Sequence, residues 1–225
     1  MELSHLFEQH VFTSLEKQHK LFRMTGSSAW GMDLQAGQLS FQGTPYQFQV
    51  SLLGTQSDSS GTWLWAWAND ALNAPRRVVD AAYGLQGYGE DHGIELLTER
   101  SFEVRRADGY VLSLLAVGLH DYSAFYRCPY PGGAAFIVLD DSRIDEKPGF
   151  DLLGLSTQVT NIMKFYEFNH RNALMAYLTA RELKHSVEGE EVRFQLAEGD
   201  EGVASFDAAG RLTRLTGKAL GGHGS

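Results

Sequence analysis

The stretch Thr62-Trp63-Leu64-Trp65-Ala66-Trp67-Ala68-Asn69 constrains the fold most. Tryptophan at every second position sets three indoles on one face of a strand, because side chains alternate along extended backbone. Leu64, Ala66 and Ala68 fall on the other face. Both faces are apolar, so the strand reads as a central one covered on both sides. Unpacked, the indoles would expose on the order of several hundred Å², which soluble chains rarely tolerate. The expectation is that Trp63, Trp65 and Trp67 fill a sheet core. The competing reading makes them an aromatic platform for a ligand or a protein partner, with Asn69 and Asp70 at the strand end to meet its polar groups.

The surroundings predict an α+β fold: an N-terminal helix packed on a curved antiparallel β-meander, then a second segment of helices and β-hairpins. Leu3, Phe7, Val11 and Leu15 recur at helical spacing over residues 3–22, and Glu8, Glu16, Lys17 and Lys20 are assigned to the polar side. From Trp30 the period becomes two, through Trp30–Leu34, Leu39–Phe41, Tyr46–Leu52 and the tryptophan strand, with turns at Ala36-Gly37, Gly43-Thr44-Pro45 and Asp58–Gly61. A helix is predicted from Asn73-Ala74-Pro75 as far as Gly87 and Gly89, and a buried one over Tyr110–Leu119. A short strand is expected near Phe102–Arg105, and a strand pair over Phe125–Pro129 and Ala134–Asp140. Residues 141–151 form the best internal boundary. Two helices follow, the second capped by Asn169, then strands at Val192–Leu196, Val203–Phe206 and Leu212–Leu215. The expected organisation is a domain over 1–145, a C-terminal part over 150–215, and a mobile tail over 216–225. Met32–Leu39 and Phe206–Leu212 share an Asp, an Ala-Gly pair and a Leu, which reads as two unrelated hairpin turns.

Several segments taken together carry a resemblance. They are the opening helix, "WGMDLQAGQLSF", "LLGTQSDSSGTWLWAWAND" and "ADGYVLSLLAVGL" with "FYRCPYPGGAAFIVLDD". They resemble a widespread bacterial family of unknown function whose hallmark is a Trp-Ala-Trp-Ala-Asn strand, here Trp65–Asn69. The resemblance covers about residues 1–140 and implies no activity, cofactor or catalytic residue. Cys128 stands where the resemblance implies a small apolar residue.

Charge and motifs narrow the function. Net charge is -9, from 19 basic and 28 acidic residues, which argues against a general nucleic-acid binder. No apolar run nears the roughly 20 residues that span a bilayer, and "MELSHLFEQH" lacks the basic start and apolar core of a secretory signal. A cytoplasmic protein is expected. Cys128 with His120 and Asp121 is the one nucleophilic set worth naming, but eight residues of partly extended chain separate thiol from imidazole by about 25 Å. Cys128 therefore reads as a packing residue. Glu-x-x-His occurs at Glu2/His5, Glu16/His19, Glu167/His170 and Glu182/His185, the spacing of di-iron bundles, but Glu16/His19 fall on the polar side of the first helix, Glu2/His5 at its fraying end, and four long helices are not evident. Neither a phosphate loop nor a nucleophile elbow is present. No cofactor and no metal are expected. The chain reads as a non-catalytic binding protein, of the inhibitor or immunity type. The alternative is an enzyme acting on a small molecule in a cleft beside the tryptophans.

Overall fold

A computed structural model describes residues 3–145, 149–197 and 199–219. The chain separates into two compact units, one of Met1–Leu3 and Lys17–Glu146, the other of Ser4–Glu16 and Lys147–Ser225. The first helix, α1 (Leu3–Thr25), contributes to both. Gly26, at φ 57°, ends it.

The first unit is built on seven antiparallel strands: β1 (Trp30–Asp33), β2 (Gln38–Phe41), β3 (Gln47–Ser57), β4 (Thr62–Trp65), β5 (Ser101–Glu103), β6 (Ala124–Tyr130) and β7 (Gly133–Asp140). β1 to β4 follow in the order of the expected meander, and β5 adds to β4. β3 is the hub: β7 runs along its residues 49–57, while β2 pairs with its start and β4 with its end. The sheet curls into a half-barrel. At the start of β3 the order is β1-β2-β3-β7-β6. Flat, the outer strands of such a sheet would lie about 19 Å apart with side chains perpendicular to it. Instead the rings of Trp30 and Tyr126 are 6.1 Å apart, and the sulfurs of Met32 and Cys128 are 4.0 Å apart. The concave face is filled by Leu39, Phe48, Val50, Leu52, Ile137 and Leu139, all buried.

Helices cover the convex face: α2 (Asp80–His92), the short α3 (Glu95–Thr98) and α4 (Gly109–Leu119), with α5 (Ser142–Asp145) after β7. Ser51 Oγ donates to Val78 O and accepts from Ala81 N, tying α2 to β3. Asp108 caps α4, and Gly109 lies where a Cβ would run into the Phe136 ring. Three local readings change. The helix expected from Asn73 starts only at Asp80, after a 3-10 turn over Arg76–Val78. The tryptophan strand stops at Trp65, and a 3-10 turn over Ala66–Ala68 replaces its second half. α2 continues through Gly87 and Gly89 to His92 and ends at Gly93, at φ 66°; Gly89 is needed because a Cβ there would strike Leu97.

The second unit carries α6 (Leu152–Ile162), capped by Asp151, and α7 (His170–Ala180), capped by Asn169. A four-stranded sheet follows, ordered β11 (Leu212–Lys218), β10 (Glu201–Phe206), β9 (Glu191–Gln195), β8 (His185–Glu188). One face is apolar, with Val192, Phe194, Ala204 and Phe206 buried. β8 has no counterpart in the sequence reading, since all four of its residues are exposed and show no apolar alternation. Thr216–Lys218, assigned to the tail, belong to β11 and pair with β10; residues 220–225 lie outside the described residues.

The polar side assigned to α1 also changes. Glu16 and Lys17 are both buried. In the second unit Glu16 pairs with Arg181 at 2.9 Å and bonds the Tyr177 hydroxyl. In the first, Lys17 Nζ lies 2.6 Å from Asp121 and 3.5 Å from Asp145, and donates to Tyr122 O.

Candidate functional site

The three tryptophans do not share one environment. Trp63 and Trp65 are fully buried on the convex side, their rings 5.2 Å apart and edge to face. Trp63 also meets Phe136 at 5.6 Å, and Trp65 meets Phe102 at 6.4 Å. Trp63 lies directly over Gly54, where any Cβ would strike the indole. Trp65 Nε1 donates to Leu96 O at 3.1 Å, whereas the buried Trp63 Nε1 has no partner among the described residues. Trp67, in the 3-10 turn, leaves the row and is half-buried. Asn69 Oδ1 accepts from Ala71 N, which makes it a turn residue. Asp70 is exposed and pairs with Arg100, whose guanidinium also donates to Ala68 O.

The chemistry-bearing residues are separated as well. Cys128 faces the concave side against Met32, while His120 packs beside Gly84 and Tyr88 of α2. Burial pushes the Cys128 thiol up to about 12, so it stays protonated. Ser123 is buried, its hydroxyl donating to Asp145 Oδ2 at 2.5 Å and accepting from Asp141 N at 2.8 Å. Together with Lys17 it knits the ends of β6 and β7 to α5. Glu2 lies outside the described residues; among those described, no group of three or more His, Cys, Asp or Glu could hold a metal.

What the fold does assemble is an aromatic seam where β1 meets β6. Among the described residues β1 pairs only with β2, and β6 only with β7, so side chains close the half-barrel there. Trp30, Met32 and Tyr126 are half-buried there. Below them, Phe41 contacts Tyr126 at 5.2 Å and Phe48 at 6.0 Å, and Tyr46 stacks on Phe48. Arg143 caps this end, its guanidinium 5.3 Å from the Tyr46 ring centre. Asp141 holds it by two bonds of 2.8 and 2.6 Å, and these bonds keep the Asp141 carboxyl below its usual range. Burial raises the Tyr126 phenol. The surface is apolar and aromatic with a cation at its rim, suited to grip an apolar or aromatic side chain. The sequence reading had Trp30, Met32 and Phe125–Pro129 as strand residues but not as neighbours. Met32 and Cys128 are 96 residues apart, and a single sequence carries no signal for that pairing.

Helix, curled antiparallel sheet and convex-side helices define an α+β protein of half-barrel type. Residues 4–142, from α1 to just past β7, match a protein family described as "Family of unknown function (DUF6882)". The chain belongs to this family. Neither the curated proteins nor the solved structures contain a match to it.

Proposed function

We propose that the protein is a non-catalytic binding protein of the inhibitor or immunity type, which masks a protein partner at the β1–β6 seam. The observation that carries this is the half-buried Trp30, Met32 and Tyr126 set at the meeting of two strand edges that are not paired to each other. Trp, Tyr and Met are the residues that anchor interfaces, and free strand edges offer main-chain groups to a partner. The net charge of -9 favours encounter with a basic partner. A cytoplasmic setting, in which the lone Cys128 stays reduced, fits this role. Among the described residues no helix is long and apolar enough to cross a membrane.

The test is capture of a partner by the full chain, then calorimetry with both proteins purified. Trp30→Ala and Tyr126→Ala should stay folded, melting a few degrees lower because each loses the ring pair, and should lose about thirtyfold in affinity, the roughly 2 kcal/mol of an interface anchor. Unchanged binding by both variants defeats the proposal.

One observation supports a small-molecule cleft beside the tryptophan strand instead. Trp67 Nε1 is buried without a partner among the described residues, close in sequence to Asn69 and Asp70. A ligand acceptor would satisfy that donor. This reading requires a compound whose binding is lost in Trp67→Phe while partner capture persists.

A further inference from the structure

Helix α7 starts against the β10–β11 hairpin, and hydrogen bonds make the joint. Arg171 N donates to Gly210 O at 3.0 Å, and Asn169 Nδ2 reaches Ala209 O at 3.5 Å. Leu212 N donates to His170 Nδ1 at 2.9 Å. The fit is close: Asn169 occupies the space a Cβ on Gly210 would need, and Gly210 sits at φ 76°. The bond from Leu212 carries a chemical condition. An imidazole nitrogen accepts only while it holds no proton, so the ring must be neutral with its hydrogen on Nε2. Protonation would turn the acceptor into a second donor aimed at Leu212 N–H. His170 is only 9% exposed, which leaves water little room to replace the lost partner.

We propose that His170 is a pH-operated latch, tightening the joint between the β10–β11 hairpin and the start of α7 while neutral and loosening it once protonated.

The surroundings favour the neutral ring. Phe12 of α1, Leu155 and Val159 of α6 and Leu174 of α7 line the same apolar hollow, and the Phe168 ring lies 4.7 Å away. The hairpin supplies Asp207 and Arg211. α1 supplies Glu8, whose carboxylate is bonded to Asn169 N and Asn172 Nδ2. On α7 itself Arg171 donates to Gly189 O. Burial, then Arg211, lowers the His170 pKa below 6.5, with Asp207 opposing. The folded chain thus binds fewer protons at this site than the unfolded chain. The stabilisation is complete above about pH 6.5 and is lost as the pH falls through the lower folded value.

Nitrogen-15 NMR of the full chain tests this without a variant. The imidazole should show the Nε2–H form at neutral pH and titrate with a midpoint below 6.5. The protection of the Leu212 amide, corrected for intrinsic exchange, should drop roughly tenfold between neutral pH and a pH below the measured His170 midpoint, the size of one lost hydrogen bond. His170→Asn, which keeps an acceptor near the Nδ1 position but does not titrate, should hold its Leu212 protection constant. An Nδ1–H form at neutral pH, unchanged protection in the wild type, or the same drop in His170→Asn would each overturn the latch.

Discussion

Two indoles, equally buried and in edge contact, allow packing to be separated from hydrogen bonding. Trp63 and Trp65 are both 0% exposed, yet among the described residues only Trp65 Nε1 has a partner, Leu96 O at 3.1 Å. Replacing either by alanine removes a large side chain from the core, at about 3–5 kcal/mol. That approaches the whole stability of a marginal domain, about 5 kcal/mol, so Trp65→Ala should yield insoluble or molten protein. Replacement by phenylalanine is the finer measurement. Both changes shrink the ring by a similar amount, so the packing loss is shared. Trp65→Phe also loses a hydrogen bond, about 1 kcal/mol, and strands a carbonyl near the core. Trp63→Phe discards a donor without a partner among the described residues, so it loses no bond seen there and relieves a desolvation penalty. Trp65→Phe should therefore be the less stable by about 1–2 kcal/mol. Urea unfolding followed by far-ultraviolet circular dichroism reads the difference as a shift in midpoint at constant slope. Equal midpoints, or Trp63→Phe the weaker, would refute this assignment of the two indoles. Trp63, Trp65 and Trp67 alanine variants that all melt like the wild type would return the strand to the status of a surface platform.

Gly109→Ala drives a methyl into the Phe136 ring; despite alanine's better helix propensity, it should lose about 1–3 kcal/mol by chemical denaturation. Glu16→Ala leaves the Arg181 charge and the Tyr177 hydroxyl without their partner, at about 3 kcal/mol, since Arg181 retains 24% exposure and some water; Glu16→Gln should lose less, and equal losses would mean that charge has no part in it. Cys128, with its thiol near 12, is on the order of one part in 100,000 thiolate at pH 7, so a thiol reagent should label the native protein slowly and the urea-unfolded protein fast; Cys128→Ala should lose about 1 kcal/mol.

The meander, the buried helix α4 and the β6–β7 pair are legible in the sequence because each rests on local periodicity and turn chemistry. The two Asp…Ala-Gly turns show this well: Asp33 accepts from Ala36 N, Asp207 from Ala209 N and Arg211 N, and the glycines at 37 and 210 both take positive φ. Simple alternation fails at Trp67, because the backbone leaves the extended region after Trp65 and turns into a 3-10 bend. The helical wheel sends Glu16 and Lys17 to the polar side of α1. Their partners lie 165 and 104 residues further along, so nothing local marks them as buried. The seam is invisible for the same reason: Trp30 meets Tyr126, and Arg143 reaches Tyr46, only after β3 has drawn β2 and β7 to its two edges.

The side-chain closure of the half-barrel also sets how the molecule yields. A barrel shut by a backbone ladder opens only by breaking several main-chain hydrogen bonds at once. Here the closing contacts are the Trp30–Tyr126 ring pair and the Met32–Cys128 sulfurs. An aromatic pair of this kind holds with only about 0.5–1.5 kcal/mol beyond its buried area. The β1–β2 hairpin is held to β3 by a register of three residue pairs and by the buried Leu39 and Phe41, whereas β7 pairs with β3 along residues 49–57, so the seam is the most weakly closed line of the sheet. Compliance is concentrated along one line of the sheet, and Pro129 on the facing strand, which has no amide to offer, keeps that line from zipping shut.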